Sequence, residues 1–165
     1  MIASYEISLG NPEDVPGILS LQEANLPDNG GSLSVRQSAD WFRHAILEGS
    51  IVVCRNNGVV VGYVLGTSLA AKAHIPIIQA MLQAFPAKQG CYLYGPVCVA
   101  ETERGKGLAG AMFKELQTYM PSRSAMTFVR ADNEKSRRAH DKMGMRELGP
   151  FMSDGQSYIA LSYDG

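Results

Sequence analysis

The sequence predicts a single-domain α/β protein of the α+β kind, and three observations predict it. Strand-period and helix-period segments alternate along its 165 residues. A tight-turn signal, Asn56-Asn57-Gly58, joins apolar runs in the first half. In the second half the apolar run ending Val97-Cys98-Val99 passes through Arg104-Gly105-Lys106-Gly107 into a helical pattern. At 45% hydrophobic content, this length supports one substantial core and is short for two ordinary domains. A formal net charge of −1 supplies no global basic field, so nucleic acid is not expected as the principal ligand. The 3 cysteines, Cys54, Cys91 and Cys98, are odd in number and lack metal-ligand spacing. The N-terminal residues show no charged stretch followed by an apolar core, so a reducing cytoplasm is the expected compartment. No apolar run approaches the roughly twenty residues that span a bilayer, so a soluble protein without membrane partners is expected.

Element by element, Tyr5 to Leu9 reads as a strand, and Asn11-Pro12-Glu13-Asp14 supplies an N-cap, a first-turn proline and acids for a helix carrying Val15, Ile18 and Leu19. Leu26 to Val35, with Pro27, Gly30 and Gly31, reads as a mobile loop. Ser38 caps a second helix in which Trp41, Phe42, Ala45 and Ile46 share a face, and Gly49 ends it. Ile51 to Arg55 and Val59 to Leu65 form a hairpin around Asn57-Gly58. Ile75, Ile78, Leu82 and Phe85 recur at helical spacing, so a helix is expected from Ile75 onward; it either borders an acceptor site or a dimer contact, or simply covers core. Tyr92 to Ala100 is the central strand, and Leu108, Ala111, Met112, Leu116 and Tyr119 make the buried stripe of the next helix, which Pro121 stops. Ala125 to Ala131 reads as a strand and Glu134 to Met143 as a helix. Arg146 to Met152 and Tyr158 to Tyr163 form a terminal hairpin around Asp154-Gly155.

The stretch from Val97 to Gly110 is suited to phosphate. A helix N-terminus presents unpaired N–H groups and the positive end of a dipole, and Gly105 and Gly107 remove side chains that would hold an anion at a distance. Arg104 and Lys106 add charge. Gly105-x-Gly107-x-x-Gly110 matches the dinucleotide fingerprint literally, but Glu101 to Arg104 separate the strand from the first glycine, and too little chain follows for a doubly wound sheet. Arg104-Gly-Lys-Gly-Leu-Ala109 instead resembles the pyrophosphate loop of the GNAT superfamily of acyl-CoA-dependent N-acetyltransferases. Downstream, Asn133-Glu-Lys-Ser136-Arg-Arg-Ala-His140-Asp-Lys-Met-Gly144-Met145 resembles that family's second motif, with His140 where the family has Tyr and Met145 where it has Phe. The element order agrees, and the resemblance implies a mixed, largely antiparallel central sheet flanked by helices and splayed near the cofactor.

Acetyl-CoA is the implied cosubstrate. By resemblance, backbone groups of Val97 and Val99 pair with the pantetheine arm, and N–H groups of Arg104, Gly105, Lys106, Gly107, Leu108, Ala109 and Gly110 cradle the pyrophosphate. Gly95-Pro96 within a strand suggests a bulge that turns the amide of Val97 or Cys98 toward the acetyl oxygen; a plain kink is the alternative. Asn133, Ser136 and His140 are implied cofactor contacts, although helix capping also accounts for Asn133. His140 occupies the position of the family's general acid toward sulfur, and packing is its other reading. Lys135, Arg137, Arg138 and Lys142 either meet the 3′-phosphate of CoA or solvate a surface. No Asp or Glu lies between Cys91 and Ala100, so the base is unassigned among Glu23, Asp28, His74 and ordered water.

The expected function is N-acetylation of a primary amine by direct attack, with a small-molecule acceptor favoured over a protein, no metal, and a homodimer compatible with the resemblance. A non-catalytic acyl-CoA sensor on the same fold is the main alternative, and a nicotinamide-binding fragment the other.

Overall fold

The computed structural model describes residues 4–26, 36–120 and 124–164. In chain order the elements are β1 (Tyr5–Leu9), α1 (Val15–Ala24), α2 (Ala39–Leu47), β2 (Ile51–Asn56), β3 (Val59–Ser68), α3 (Leu69–Lys72), α4 (Pro76–Ala84) and β4 (Tyr92–Val99). They continue with α5 (Leu108–Gln117), β5 (Ala125–Arg130), α6 (Glu134–Lys142), β6 (Arg146–Ser153) and β7 (Gln156–Tyr163). Seven strands form one sheet in the order β1-β2-β3-β4-β5-β7-β6. β1 and β2, β2 and β3, β5 and β7, and β6 and β7 pair antiparallel. β4 and β5 pair in parallel through Tyr92↔Ala125 and Leu93↔Met126, both before Gly95. This is the mixed, largely antiparallel sheet with flanking helices that the sequence predicts. Among the described residues no helix is long and apolar enough to cross a membrane.

Two compact units divide the chain: Met1–Leu65 with Pro96–Tyr119, and Gly66–Gly95 with Met120–Gly165. In the first, the turn Asn57-Gly58 has φ of 51° and 81°, the left-handed pair that a tight hairpin requires. Alternation along β2 and β3 then sorts their side chains onto opposite faces. Ile51, Val53, Tyr63 and Leu65 join Ile18 and Leu21 of α1, Phe42 and Ala45 of α2 and Cys98 in one core cluster. On the other face a Cβ at Gly62 would come within 2.9 Å of Met112 in α5, so glycine there permits the helix to pack closely. Ser38 caps α2 by accepting from Trp41 N–H at 3.1 Å.

The second unit carries a core of Leu69, Ile78, Met81, Met126, Phe151 and Ala160, with Phe85, Leu93 and Phe128 packed against it. The helix α4 therefore covers core, as one of its two readings has it. Its neighbour α3 is an addition to the predicted elements: Ser68 caps it through Ala71 N–H at 3.3 Å, and its four residues are too few for periodicity to reveal. The terminal hairpin turns at Asp154 and Gly155, with φ of 49° and 76°.

The predicted stripe of α5 needs correction. Leu108, Met112, Phe113 and Leu116 are buried, whereas Ala111 is exposed and Tyr119 is 40% exposed beyond the helix end. The apolar face includes Phe113, one position round from the predicted row, and Ala111 has too little apolar surface to draw the face toward itself. The helix ends at Gln117, and Pro121 lies outside the described residues, as does the loop 27–35.

Arg55 is buried in β2, where its Nε donates to Asp14 Oδ1 at 2.8 Å, a second nitrogen donates to Asp14 Oδ2, and Nη1 donates to Ser8 Oγ at 2.9 Å. Asp14 is itself buried and also accepts from Asn11 N–H at 2.8 Å. The pair thus locks the entry of α1 to β1 and β2. An Asp14→Ala variant leaves the guanidinium buried without its fork partner, and urea unfolding should show a loss of about 3 to 5 kcal/mol.

Candidate functional site

The predicted phosphate loop lies in the first unit. The end of β4 is tied to β3 by Ala100 N–H donating to Val61 O at 2.8 Å. Glu101–Glu103 form one 3-10 turn, and Gly105 and Gly107 follow with φ of 78° each. Gly107 is the N-cap of α5 and, lacking a side chain, caps nothing. A Cβ built on Gly105 or Gly107 would meet nothing within 4 Å. The first intrahelical bond runs from Ala111 N–H to Gly107 O at 3.1 Å, so the N–H groups of Leu108, Ala109 and Gly110 have no intrahelical acceptor. Open space in front of unpaired amides at a helix N-terminus fits a pyrophosphate.

The charged side chains of the loop face other tasks. Arg104 Nε donates to Val99 O at 3.2 Å, and its Nη2 donates to Asn25 Oδ1 at 2.7 Å. Asn25, buried at the end of α1, donates in turn to Leu21 O at 2.8 Å. Lys106 Nζ lies 3.5 Å from both Glu103 Oε1 and Tyr5 Oη. Their charges stay near the loop, but their donor groups fasten it to the protein, leaving the cradle to main-chain amides. Sequence reasoning missed Asn25, Tyr5 and Glu103, because nothing local announces partners this distant in the chain.

Within β4, Gly95 has φ of 114°, a conformation closed to most residues, and the following Pro96 has no N–H to give a ladder. The irregularity expected at Gly95-Pro96 is therefore present in the backbone. Cys98 is buried in the same core cluster as Tyr63. Burial pushes the Cys98 thiol up to about 11, so it stays protonated at neutral pH.

The second predicted motif lies in the second unit. Asn133 caps α6 by accepting from Ser136 N–H at 3.1 Å, which is the capping role among its two readings. His140 is only 5% exposed, and its Nδ1 lies 2.7 Å from the Ser136 carbonyl oxygen and 3.3 Å from Ser136 Oγ. A carbonyl oxygen only accepts, so Nδ1 carries the hydrogen and, in the neutral ring, Nε2 does not. Burial holds the His140 pKa below its ordinary value, and the bond to the Ser136 carbonyl opposes this in part. The Tyr94 ring, also buried, meets the imidazole edge to face with centroids 5.8 Å apart.

The basic face of α6 resolves partly into pairs. Arg137 donates from Nε and Nη2 to the Glu147 carboxylate at 2.8 Å each and from Nη1 to Ala131 O at 2.9 Å, fastening α6 to β6. Arg138 lies 3.7 Å from Glu134. Of the base candidates, Glu23 is exposed and paired with Arg36 at 2.9 Å, His74 is exposed, and Asp28 lies outside the described residues. Among the described residues, no group of three or more His, Cys, Asp or Glu is placed to hold a metal ion. A shallow depression of about 300 Å³ lined by Gly144, Arg146, Ser162, Tyr163 and Asp164 includes none of the predicted site residues.

Comparison with known proteins identifies the family and the fold. The family model described as the acetyltransferase (GNAT) family matches residues 16–145. No curated protein matches the sequence. Among solved structures, an N-acetyltransferase from Staphylococcus aureus Mu50 is 20% identical with a TM-score of 0.70, covering 98% of each chain. The Salmonella typhimurium protein yncA, solved with its cofactor acetyl-CoA, is 16% identical with a TM-score of 0.69, over 97% of this chain and 93% of that one. Ribosomal-protein-alanine N-acetyltransferase from Brucella melitensis is 18% identical with a TM-score of 0.70, over 97% and 99%. At these identities the structural likeness speaks for the fold.

The buried imidazole sets a pH dependence. Because the folded pKa of His140 lies below the ordinary 6.5, the unfolded chain takes up the proton first as pH falls. The histidine's effect on stability is nil well above pH 6.5 and becomes increasingly unfavourable below it. Urea midpoints measured across this range should fall less steeply for His140→Leu than for the wild type.

Proposed function

Because the chain belongs to the GNAT acetyltransferase family, we propose that it transfers an acetyl group from acetyl-CoA to a primary amine by direct attack. The observation that carries this reading is the open left-handed loop at Gly105 and Gly107 before three unpaired amides of α5. Acetyl-CoA, when bound, supplies an activated thioester. The chain's own part is to hold the pyrophosphate on the amides from Gly105 to Gly110, the expected Arg104 N–H being given instead to Glu101 O at 3.4 Å, and the pantetheine on main-chain groups of Val97 and Val99. An amide of Val97 or Cys98, downstream of the Gly95 irregularity, is assigned to the acetyl oxygen.

Asn133, Ser136 and His140 are carried over as cofactor contacts from the second motif. A proton given from Nε2 of His140 requires the imidazolium, since the single N–H of the neutral ring is committed to the Ser136 carbonyl. Direct attack is favoured over a covalent acyl-cysteine, because the Cys98 thiol is buried and held protonated. A small-molecule amine remains the favoured acceptor class, and residues 1–165 are read as one acetyltransferase domain.

The commitment of His140 and the absence of a carboxylate between Cys91 and Ala100 favour one other reading, an acyl-CoA-binding module without efficient transfer. Acetyl-CoA consumption measured across a panel of primary amines separates the two: turnover supports the enzyme, and binding without turnover supports the module.

Calorimetry tests the loop directly. CoA and acetyl-CoA should bind and NAD should not. Gly107→Glu should abolish CoA binding by placing a carboxylate in the cradle. Gly107→Asn, whose side chain tolerates a left-handed backbone, should retain most of it. Equal binding by the wild type and Gly107→Glu would remove the loop from the cofactor site.

A further inference from the structure

Glu103 is an unexpected residue at its position. It ends the 3-10 turn that leads into the phosphate loop, and a carboxylate beside an anion site opposes the ligand unless its charge is neutralised. Yet it is buried, with only 9% of its surface exposed. Its carboxylate accepts a hydrogen bond from Tyr5 Oη and lies 3.5 Å from Lys106 Nζ. Tyr5 and Asn56 are register partners, the first residue of β1 opposite the last of β2. Asn57 N–H donates to Ser4 O at 3.0 Å and closes that end of the pair. The carboxylate is thus plugged into a socket at the end of two paired strands.

We propose that Glu103 is a positioning residue for cofactor binding: seated on Tyr5 at the paired ends of β1 and β2, it pins the loop 104–110 to those strands and holds the Lys106 ammonium at the loop's flank. This rests on the reading that the loop takes the pyrophosphate of CoA. A segment containing Gly105 and Gly107 has much conformational freedom to lose, so its affinity depends on being held in the binding shape beforehand. Arg104 anchors one side through Val99 and Asn25, and Glu103 anchors the other. Neutralised by its partners, the carboxylate gives this anchorage without setting a free negative charge against phosphate. The Tyr5 hydrogen bond, foremost, holds the Glu103 pKa below its ordinary value, so the anchor is ionised at neutral pH.

Glu103→Gln, Tyr5→Phe and the double variant provide the test, read by CoA calorimetry and by backbone NMR order parameters of the ligand-free protein. Glu103→Gln should raise the CoA dissociation constant about tenfold, the scale of one hydrogen bond to a charged group. Tyr5→Phe should act in the same direction, and the double variant should cost little more than Glu103→Gln alone, because the two residues act as one unit. Order parameters should fall at residues 104–110 while Met112 to Leu116 keep theirs. Unchanged CoA affinity in both single variants, or order lost uniformly with no selectivity for the loop, overturns the proposal. If Glu103→Gln fails to fold, Tyr5→Phe carries both readouts alone. A wild type that does not bind CoA refutes the cofactor reading instead, and the loop order parameters of the variants still decide whether Glu103 pins the loop.

Discussion

The start of α5 has a glycine where a capping side chain could stand, and that constraint shapes what surrounds it. Ser38 caps α2, Ser68 caps α3 and Asn133 caps α6, each accepting from an amide of the first turn. At α5 the corresponding residue is Gly107, with no side chain to offer. Leaving a cap out forgoes about 1 kcal/mol. What is obtained is a set of amides free to meet an anion, at the positive end of the helix dipole. The left-handed backbone at Gly105 and Gly107 follows from the same need, since it turns the chain sharply while keeping Cβ atoms out of the space in front.

A glycine-rich loop with unpaired amides has little to hold it, so its fixation comes from charged side chains reaching outward. Arg104 grips the last carbonyl of β4 and the buried Asn25 that closes α1. Glu103 reaches the paired ends of β1 and β2, and Lys106 balances it. Each of these residues looks like a phosphate ligand, or a phosphate repellent, when judged by charge alone. Their bonds show side chains serving the loop's shape.

Around α6 the governing term is desolvation. His140 has a single neutral tautomer compatible with the Ser136 carbonyl, and burial holds its pKa below the ordinary value. The same term holds the thiols of Cys91 and Cys98 near 11. These thiols are therefore poor nucleophiles at neutral pH, and the lowered pKa of His140 disfavours its acid form.

What the sequence determined by itself is whatever rests on neighbouring residues. Asn57-Gly58 and Asp154-Gly155 specified their turns through positive φ. Ser38 and Asn133 specified helix starts through caps reaching three residues on. Gly105 and Gly107 marked the turn that opens α5, because a strand, a turn and a helix N-terminus are contiguous in the chain. Tertiary structure decided the rest. The union of Tyr5 with Glu103, residues 98 apart in sequence, exists only because β1 lies beside β2 at the loop's edge. The exposure of Ala111, the burial of Phe113 and the lowered pKa of His140 depend on which neighbours exclude water. A residue's type states which bonds it is able to make; only packing decides which partners come within reach and how much solvent competes for them.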